Sequence, residues 1–552
     1  MGKGAKYLML IAVPVVVLGL FAFSESGDRY FKIAKNLDIF ASLYHEINTH
    51  YVDDINPNQL LNTGVKAMLK KLDPYTVYIP EDDIEDYRTM ATGEYGGIGI
   101  QSNKIKGKHL VLMVYEGSPA FEAGIKISDE IISMDGINVT QMSDNEFGKV
   151  LKGQAGTEVN LTLTRNNGEE TYSVTVKREK INIPNISYKG MITEDIGYLR
   201  LSEFTRDAGD DVRETVKELK ENGAQKIVLD LRDNPGGLLN EAVNICNVFI
   251  PKGEKVVHTK GKTKKQSYLY NTRLDPLDVN IPLAILINSG SASASEIVSG
   301  VMQDYDRGVL IGQKSYGKGL VQMTRPLSYN SQLKLTTAKY YVPSGRCIQA
   351  LDYSNRREDG SVGKIPDSLK SAFKTKNGRV VYDGGGVDPD IETEVVSLSS
   401  YTTNLSESGL IFEYATKFYF EHESIDEPKS FHLTDKEYDG FLDWMESKNF
   451  ENNSLAEETI DELRKASESD KVYKNLLGEI DELQATVAQL KSNGLTTYKD
   501  EIKKLLELQI ISRYYLKKGT VEASIEQDPD VNAAIDILNK PNKYTEVLVK
   551  SK

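Results

Sequence analysis

The sequence predicts an α/β multidomain chain: an N-terminal helical segment, a β-rich module, an α/β core around a central sheet, and a helical C-terminal accessory domain. Three observations carry this. Apolar residues recur at helical 3–4 spacing near the start, a glycine-rich strand texture begins at Glu94, and from Ile181 to Val395 strands alternate with helices. The 552 residues are enough for roughly three to four domains. The formal net charge is −14, with no compensating basic block, which argues against nucleic acid as the main partner. Two cysteines, Cys246 and Cys347, make neither a disulfide framework nor a zinc cage.

Residues 1–25 read as targeting. Lys3 and Lys6 precede an apolar run of 16 residues from Leu8 to Phe23, and Glu25 and Asp28 follow. A basic flank before an apolar stretch is the pattern of an export signal. The run is intermediate between a typical signal core and a bilayer span, so a signal cleaved near Ala22-Phe23-Ser24 and an uncleaved anchor both remain open. Either places the bulk of the chain outside the cytoplasm, on the periplasmic side of an inner membrane that the segment can anchor to.

Residues 33–90 form the helical segment, with Leu37, Phe40, Leu43, Tyr44 and Ile47 on one stripe and Leu61, Val65, Met68 and Leu69 on a second. Asp73-Pro74 ends that second helix. A β-rich module covers 91–178, and an α/β core covers 181–396, with buried strands at Ile227–Leu231, Leu283–Ile287 and Val309–Ile311. Beyond Ser400 charged helical patterns take over, and residues 400–552 read as a helical domain. Leu476, Ile480, Leu483, Val487 and Leu490 keep coiled-coil spacing for only about two heptads.

The chemistry concentrates where strand Leu283–Ile287 runs into the small-residue turn 288–293 and a helix begins. Small side chains admit a reacting chain, and helix-start N–H groups favour developing negative charge. Simple helix capping is the bland alternative for a serine there. None of the six histidines falls in a catalytic motif, and neither a Gly-x-Ser-x-Gly elbow nor a His-Glu-x-x-His zinc motif occurs. Lysine is an alternative base: once desolvated, its neutral amine can take a serine proton, although a lone lysine is more commonly a solvated surface charge. Lys318 lies between Gly317 and Gly319, 25 residues after Ser293.

Gly290-Ser291-Ala292-Ser293-Ala294-Ser295-Glu296, Met302-Gln303-Asp304-Tyr305 and Gly317-Lys318-Gly319-Leu320-Val321-Gln322 together resemble the carboxyl-terminal processing (tail-specific) peptidase family. The resemblance, over roughly residues 36–395, implies a serine endopeptidase with a Ser–Lys pair. Ser293 would be the nucleophile, Lys318 its general base, and Gln322 the residue orienting Lys318. Asp304 would support the site or form a structural ion pair. The turn from Asp230 to Gly237 would help form the oxyanion hole, with the Gly237 and Ala294 amides as donors and Gly236 as alternate. Tyr95, Gly96, Gly97, Ile98, Gly99 and Ile100 resemble the carboxylate-capturing loop and strand of a PDZ domain, which binds a peptide by adding it to a sheet edge. Ser128 departs from the glycine usual before Asp129, and Leu72-Asp73-Pro74-Tyr75-Thr76 departs from the family's Leu-Asp-Pro-His-Ser.

The partners implied are protein or peptide substrates with exposed C-terminal tails, cleaved near those ends. No metal, nucleotide or organic cofactor is expected, and nothing in the sequence sets an oligomeric state. Two rivals remain. Gly312 to Lys318 fits the first part of a phosphate-binding loop, but Gly319 stands where Ser or Thr would hold Mg²⁺, and the next residues read as strand. The second is a catalytically silent exported PDZ scaffold, against which the retention of Ser293, Lys318 and Gln322 together speaks.

Overall fold

In the computed structural model, the described residues are 28–395, 397–448, 450, 455–469 and 474–549. The targeting segment expected over 1–25 lies outside them. Among the described residues no helix is long and apolar enough to cross a membrane.

The chain folds as two compact units that divide after Tyr78. In the first, a helix spans residues 28–50 and a second runs Pro57–Lys70, capped by the Asn56 side chain, which accepts from the Asn58 and Gln59 amides. Asp73 closes the following turn by accepting from the Tyr75 and Thr76 amides at 2.9 and 2.8 Å.

The second unit opens, after a short helix, with β1 (Glu94–Gly97). A twisted antiparallel sheet follows, made of β2 (Ile100–Ile105), β3 (Lys108–Val114), β4 (Glu130–Met134), β5 (Glu158–Arg165) and β6 (Glu170–Lys177) in that spatial order. Helix α1 (Asp144–Leu151) starts at a capping box between Ser143 and Glu146 and packs Phe147 and Leu151 on the sheet. Strand β2 is an edge. Ser128 adopts φ 77°, the left-handed conformation that glycine takes without strain and that costs a β-carbon about 1–2 kcal/mol. Strand β7 (Glu179–Asn182) returns to pair with β1 and leads into the core.

The core sheet contains β8 (Ile186–Met191), β9 (Ile196–Leu201), β10 (Lys226–Asp230), β13 (Leu283–Ile287), β14 (Val309–Gly312) and β17 (Ile391–Glu392), in that order. Every pair except β8 with β9 is parallel. A second, antiparallel sheet holds β11 (Lys255–Gly261), β12 (Tyr268–Asn271), β15 (Leu320–Pro326) and β16 (Gln332–Tyr341). Helices α2 (Ala208–Glu221), α3 (Leu239–Phe249) and α4 (Ala294–Asp304) cover one face of the core sheet.

The unbroken apolar strands are explained by burial on both faces. Ile227, Leu229, Leu283, Ile285 and Ile287 face α2–α4. Their neighbours Val228, Ala284 and Leu286 face the opposite way, onto Val521, Ile525, Val531, Ala534 and Ile537. Beyond α5 (Leu410–Glu421), those residues belong to α6 (Lys499–Ile525) and α7 (Pro529–Leu538). The region beyond residue 400 is helical as expected, but its final helices form the second cover of the core sheet. They pack there because a six-stranded parallel-rich sheet has two apolar faces and the preceding chain supplies helices for one. An expected outcome follows: Ile537→Ala, at a 1% exposed position, lowers stability by about 2–5 kcal/mol in urea unfolding of the whole chain.

Candidate active site

Strand β13 ends at Ile287, and a tight turn delivers Ser293 to the N-cap of α4 with φ 56° and ψ −111°. A β-carbon there stores on the order of 1–3 kcal/mol of strain, the kind found where surrounding contacts over-determine a reacting residue. The flanking serines are committed elsewhere. Ser291 is buried with its hydroxyl donating to Leu231 O at 2.8 Å, and Ser295 is buried with its hydroxyl donating to Asn234 O at 2.9 Å. Only Ser293 of the three lines a cleft of about 560 Å³, together with Lys318, Gln322, Gly236, Gly237 and Ala294.

Glu296 holds this arrangement together. Fully buried one turn into α4, it accepts through Oε2 from both the Ser293 amide (2.9 Å) and the Lys318 amide (2.8 Å). Its Oε1 accepts from the Gly317 amide (2.7 Å) and the Ser315 hydroxyl (2.6 Å). Burial pushes the Glu296 carboxyl pKa up, and these four donors oppose that rise. From the other side, Tyr340 on β16 donates its hydroxyl to Ser293 O at 3.0 Å.

The turn after β10 closes over the serine. Asn234, wholly buried, donates to Leu201 O at 2.7 Å and accepts the Gly236 amide at 2.9 Å. The Gly236 amide is thereby occupied. The Ala294 amide sits in the first turn of α4, where no intrahelical acceptor exists. Gly236 must be glycine: at φ 94°, a β-carbon would come within 2.6 Å of Ala292 O and 2.8 Å of Ser293 Cβ.

Gln322, on β15, donates to Thr336 Oγ1 on β16 at 3.1 Å and lines the same cleft. Asp304 lies elsewhere, eleven residues along α4 from Ser293 or roughly 16 Å. There its carboxylate is buried 3.0 Å from Arg346 Nη2 and accepts the Ser344 amide at 2.8 Å. After Lys318 the chain enters β15, a strand, where a phosphate-binding loop requires a helix. Among the described residues no group of three or more His, Cys, Asp or Glu side chains converges as a metal site.

In the β-rich module a second groove, of about 390 Å³, runs between edge strand β2 and helix α1. Tyr95, Gly97, Ile98, Gly99 and Ile100 form one wall, and Phe147 and Leu151 the other. Gly96 turns away from it, where a β-carbon would meet Gly153 O at 2.1 Å.

The sequence matches Peptidase family S41 over residues 195–354, a PDZ domain over 96–176, and the C-terminal helical domain of a probable PDZ-protease over 401–538. It is 36% identical over 321 residues to the carboxy-terminal-processing protease of Bartonella bacilliformis, covering 57% of this chain and 73% of that protein. This chain belongs to the S41 carboxy-terminal-processing protease family. A probable CtpA-like serine protease of Staphylococcus aureus is 32% identical over 411 residues, covering 74% of this chain and 80% of that one. Among solved structures, the photosystem II D1 C-terminal processing protease overlaps 64% of this chain and 92% of its own at 24% identity and a TM-score of 0.34. By its family matches and curated relatives this S41 chain is a PDZ-containing serine protease, and those matches do not favour the silent scaffold.

Sequence reasoning assigned no role to Glu296, Asn234 or Tyr340. For Glu296 a signal was present, since a carboxylate three residues after an N-cap serine is a capping-box pattern. Glu296→Gln keeps the shape but replaces one accepting oxygen with a donor. It should lower the melting temperature by leaving at least one buried donor unpaired, at about 1–3 kcal/mol each. Ser315→Ala removes one donor to Glu296 and also the acceptor of the buried Val387 amide (2.7 Å), so it should cost about 1–3 kcal/mol in the same thermal melt.

Proposed function

We propose that this S41 protease is an endopeptidase that cuts exported proteins near their C-termini through a Ser293–Lys318 pair. The observation that carries the reading is the clamping of the Ser293 and Lys318 amides onto one oxygen of Glu296, with both residues on one cleft. Ser293 Oγ attacks the scissile carbonyl carbon as its proton passes to Lys318 Nζ. The carbonyl oxygen, now negative, takes hydrogen bonds from the Gly237 and Ala294 amides. The lysine then gives its proton to the departing amine as the C–N bond breaks. Water, deprotonated by the neutral Lys318 amine, attacks the acyl carbon and displaces Ser293 Oγ, which takes the proton back from Lys318. Gln322, braced by Thr336, orients Lys318.

The groove between β2 and α1 supports binding of the substrate's tail. An extended peptide would pair with β2, its terminal carboxylate would meet the amides around Gly97–Gly99, and its last side chain would enter the apolar wall of Phe147 and Leu151. Residues 1–25 support work outside the cytoplasm, with anchoring through the apolar run.

The decisive assay is hydrolysis of an unfolded protein by wild type, Ser293→Ala and Lys318→Ala, with chelator in parallel. Activity is expected in the wild type alone, unaffected by chelator; survival in both variants overturns the pair. Activity should also rise with pH as Lys318 loses its proton, so a profile with no alkaline limb would refute a lysine base. Leu151→Arg should weaken binding of an apolar-ended tail peptide at least tenfold by fluorescence anisotropy, while an amidated peptide should bind poorly to either protein.

A further inference from the structure

The turn carrying the Gly237 oxyanion amide begins at Arg232, and the core domain does not hold that residue alone. Asp230, fully buried at the end of β10, accepts from Arg232 Nε at 3.0 Å and Nη2 at 2.6 Å, and from the Tyr198 hydroxyl at 2.6 Å. The remaining arm, Nη1, reaches Asp528 Oδ1 and Asp530 Oδ2, each at 2.9 Å. Burial opposes charge on Arg232, but Asp230 and Asp528 outweigh it and raise its pKa, so the guanidinium stays a cation.

Asp530 does more than answer Arg232. It is 4% exposed, and its Oδ1 accepts from Gln313 Nε2 at 3.4 Å and from the Thr393 hydroxyl. Gln313 and Thr393 directly follow β14 and β17, and Arg232 lies two residues past β10. One carboxylate thus ties together the carboxyl ends of three parallel strands, the edge where sites in such sheets are built. Arg232 precedes Gly237 by five residues, and Gln313 precedes Lys318 by five. The loops carrying the oxyanion donor and the base are therefore anchored at their starts on the same side chain.

A purely structural role accounts for less. As N-cap of α7, Asp528 already satisfies the Asp530 and Val531 amides through Oδ1, which requires no arginine. Seating α7 on the sheet is the work of Val531, Ala534 and Ile537. A buried ion pair adds little stability over apolar packing.

We propose that Asp528 and Asp530 are positioning residues for peptide hydrolysis, acting through Arg232 and Gln313, and that the C-terminal helical region is in this way part of the catalytic apparatus. The proposal rests on the oxyanion and Ser–Lys assignments above.

The test uses the full-length chain as wild type, Asp528→Asn, Asp530→Asn, the double variant, Ile537→Ala and Ser293→Ala. Each is assayed on an unfolded protein substrate and with a peptide aldehyde, whose adduct with the serine places an oxyanion in the same hole. For the double variant kcat should fall about tenfold to a hundredfold, with KM within twofold and the aldehyde inhibition constant weakened by the same factor. Ile537→Ala, which loosens α7 without touching Arg232, should keep the kcat of its folded fraction, and circular dichroism supplies that fraction. If the double variant does not fold, the Asp528→Asn single variant carries the same readouts. Unchanged kcat and inhibition in a folded aspartate variant overturns the proposal, and so does an equal kcat loss in Ile537→Ala. Wild-type proteolysis in Ser293→Ala would instead overturn the Ser–Lys reading beneath it.

Discussion

The site depends on one buried carboxylate. Glu296 sits where no water reaches it, and a carboxylate there is tolerable only if its oxygens are saturated with donors. The donors come from the N-cap of α4 and from the glycine-flanked loop, so satisfying the charge forces these two segments together. Ser293 consequently accepts a strained backbone, because relaxing it would strand a hydrogen bond in the interior. The turn after β10 adds the third side: Gly236 closes against Ser293 as only a residue without Cβ can.

This constraint works only on a rigid platform. The parallel strands arrive with their carboxyl ends side by side, and each end launches one of the loops: the glycine turn from β10, the serine turn from β13, the lysine loop from β14. Rigidity needs cover on both faces of the sheet, and the second cover is the end of the chain. Cutting at the apparent boundary near residue 400 would therefore expose Val228, Ala284 and Leu286 to water.

The same C-terminal region also touches the β-rich module. Glu413 on the helix Leu410–Glu421 accepts Lys106 at 3.0 Å and Lys448 at 2.5 Å, and Phe412 and Leu516 pack on that module's core. Leu516 interrupts α6 with φ 53° and ψ −156°, so the helix bends where it meets the module. The next residue, Lys517, has its pKa lowered, first by burial and then by Arg200, and lies within electrostatic reach of Asp233 in the glycine turn. A single bent helix thus packs on the β-rich module and lies within electrostatic reach of the glycine turn.

Much of this was legible beforehand. The apolar runs announced doubly covered strands, the glycine-rich texture at Glu94 announced the β-rich module, and the serine and lysine segments carried their own motif. Those signals are local, set by propensity, periodicity and short-range turn chemistry, and a sequence displays them directly. What faces what is not local. Nothing around Asp528 or Asp530 marks them as partners of Arg232 nearly 300 residues earlier, because a long-range ion pair leaves no periodicity to read. The sequence by itself determined the fold class and the family, and it singled out Ser293 and Lys318 as candidates. Only the tertiary structure decided that Ser291 and Ser295 are spent on backbone carbonyls, that Asp304 is paired with Arg346 away from the cleft, and that the last helices belong to the core sheet. Each of those outcomes depends on which buried polar group meets which partner when distant segments close.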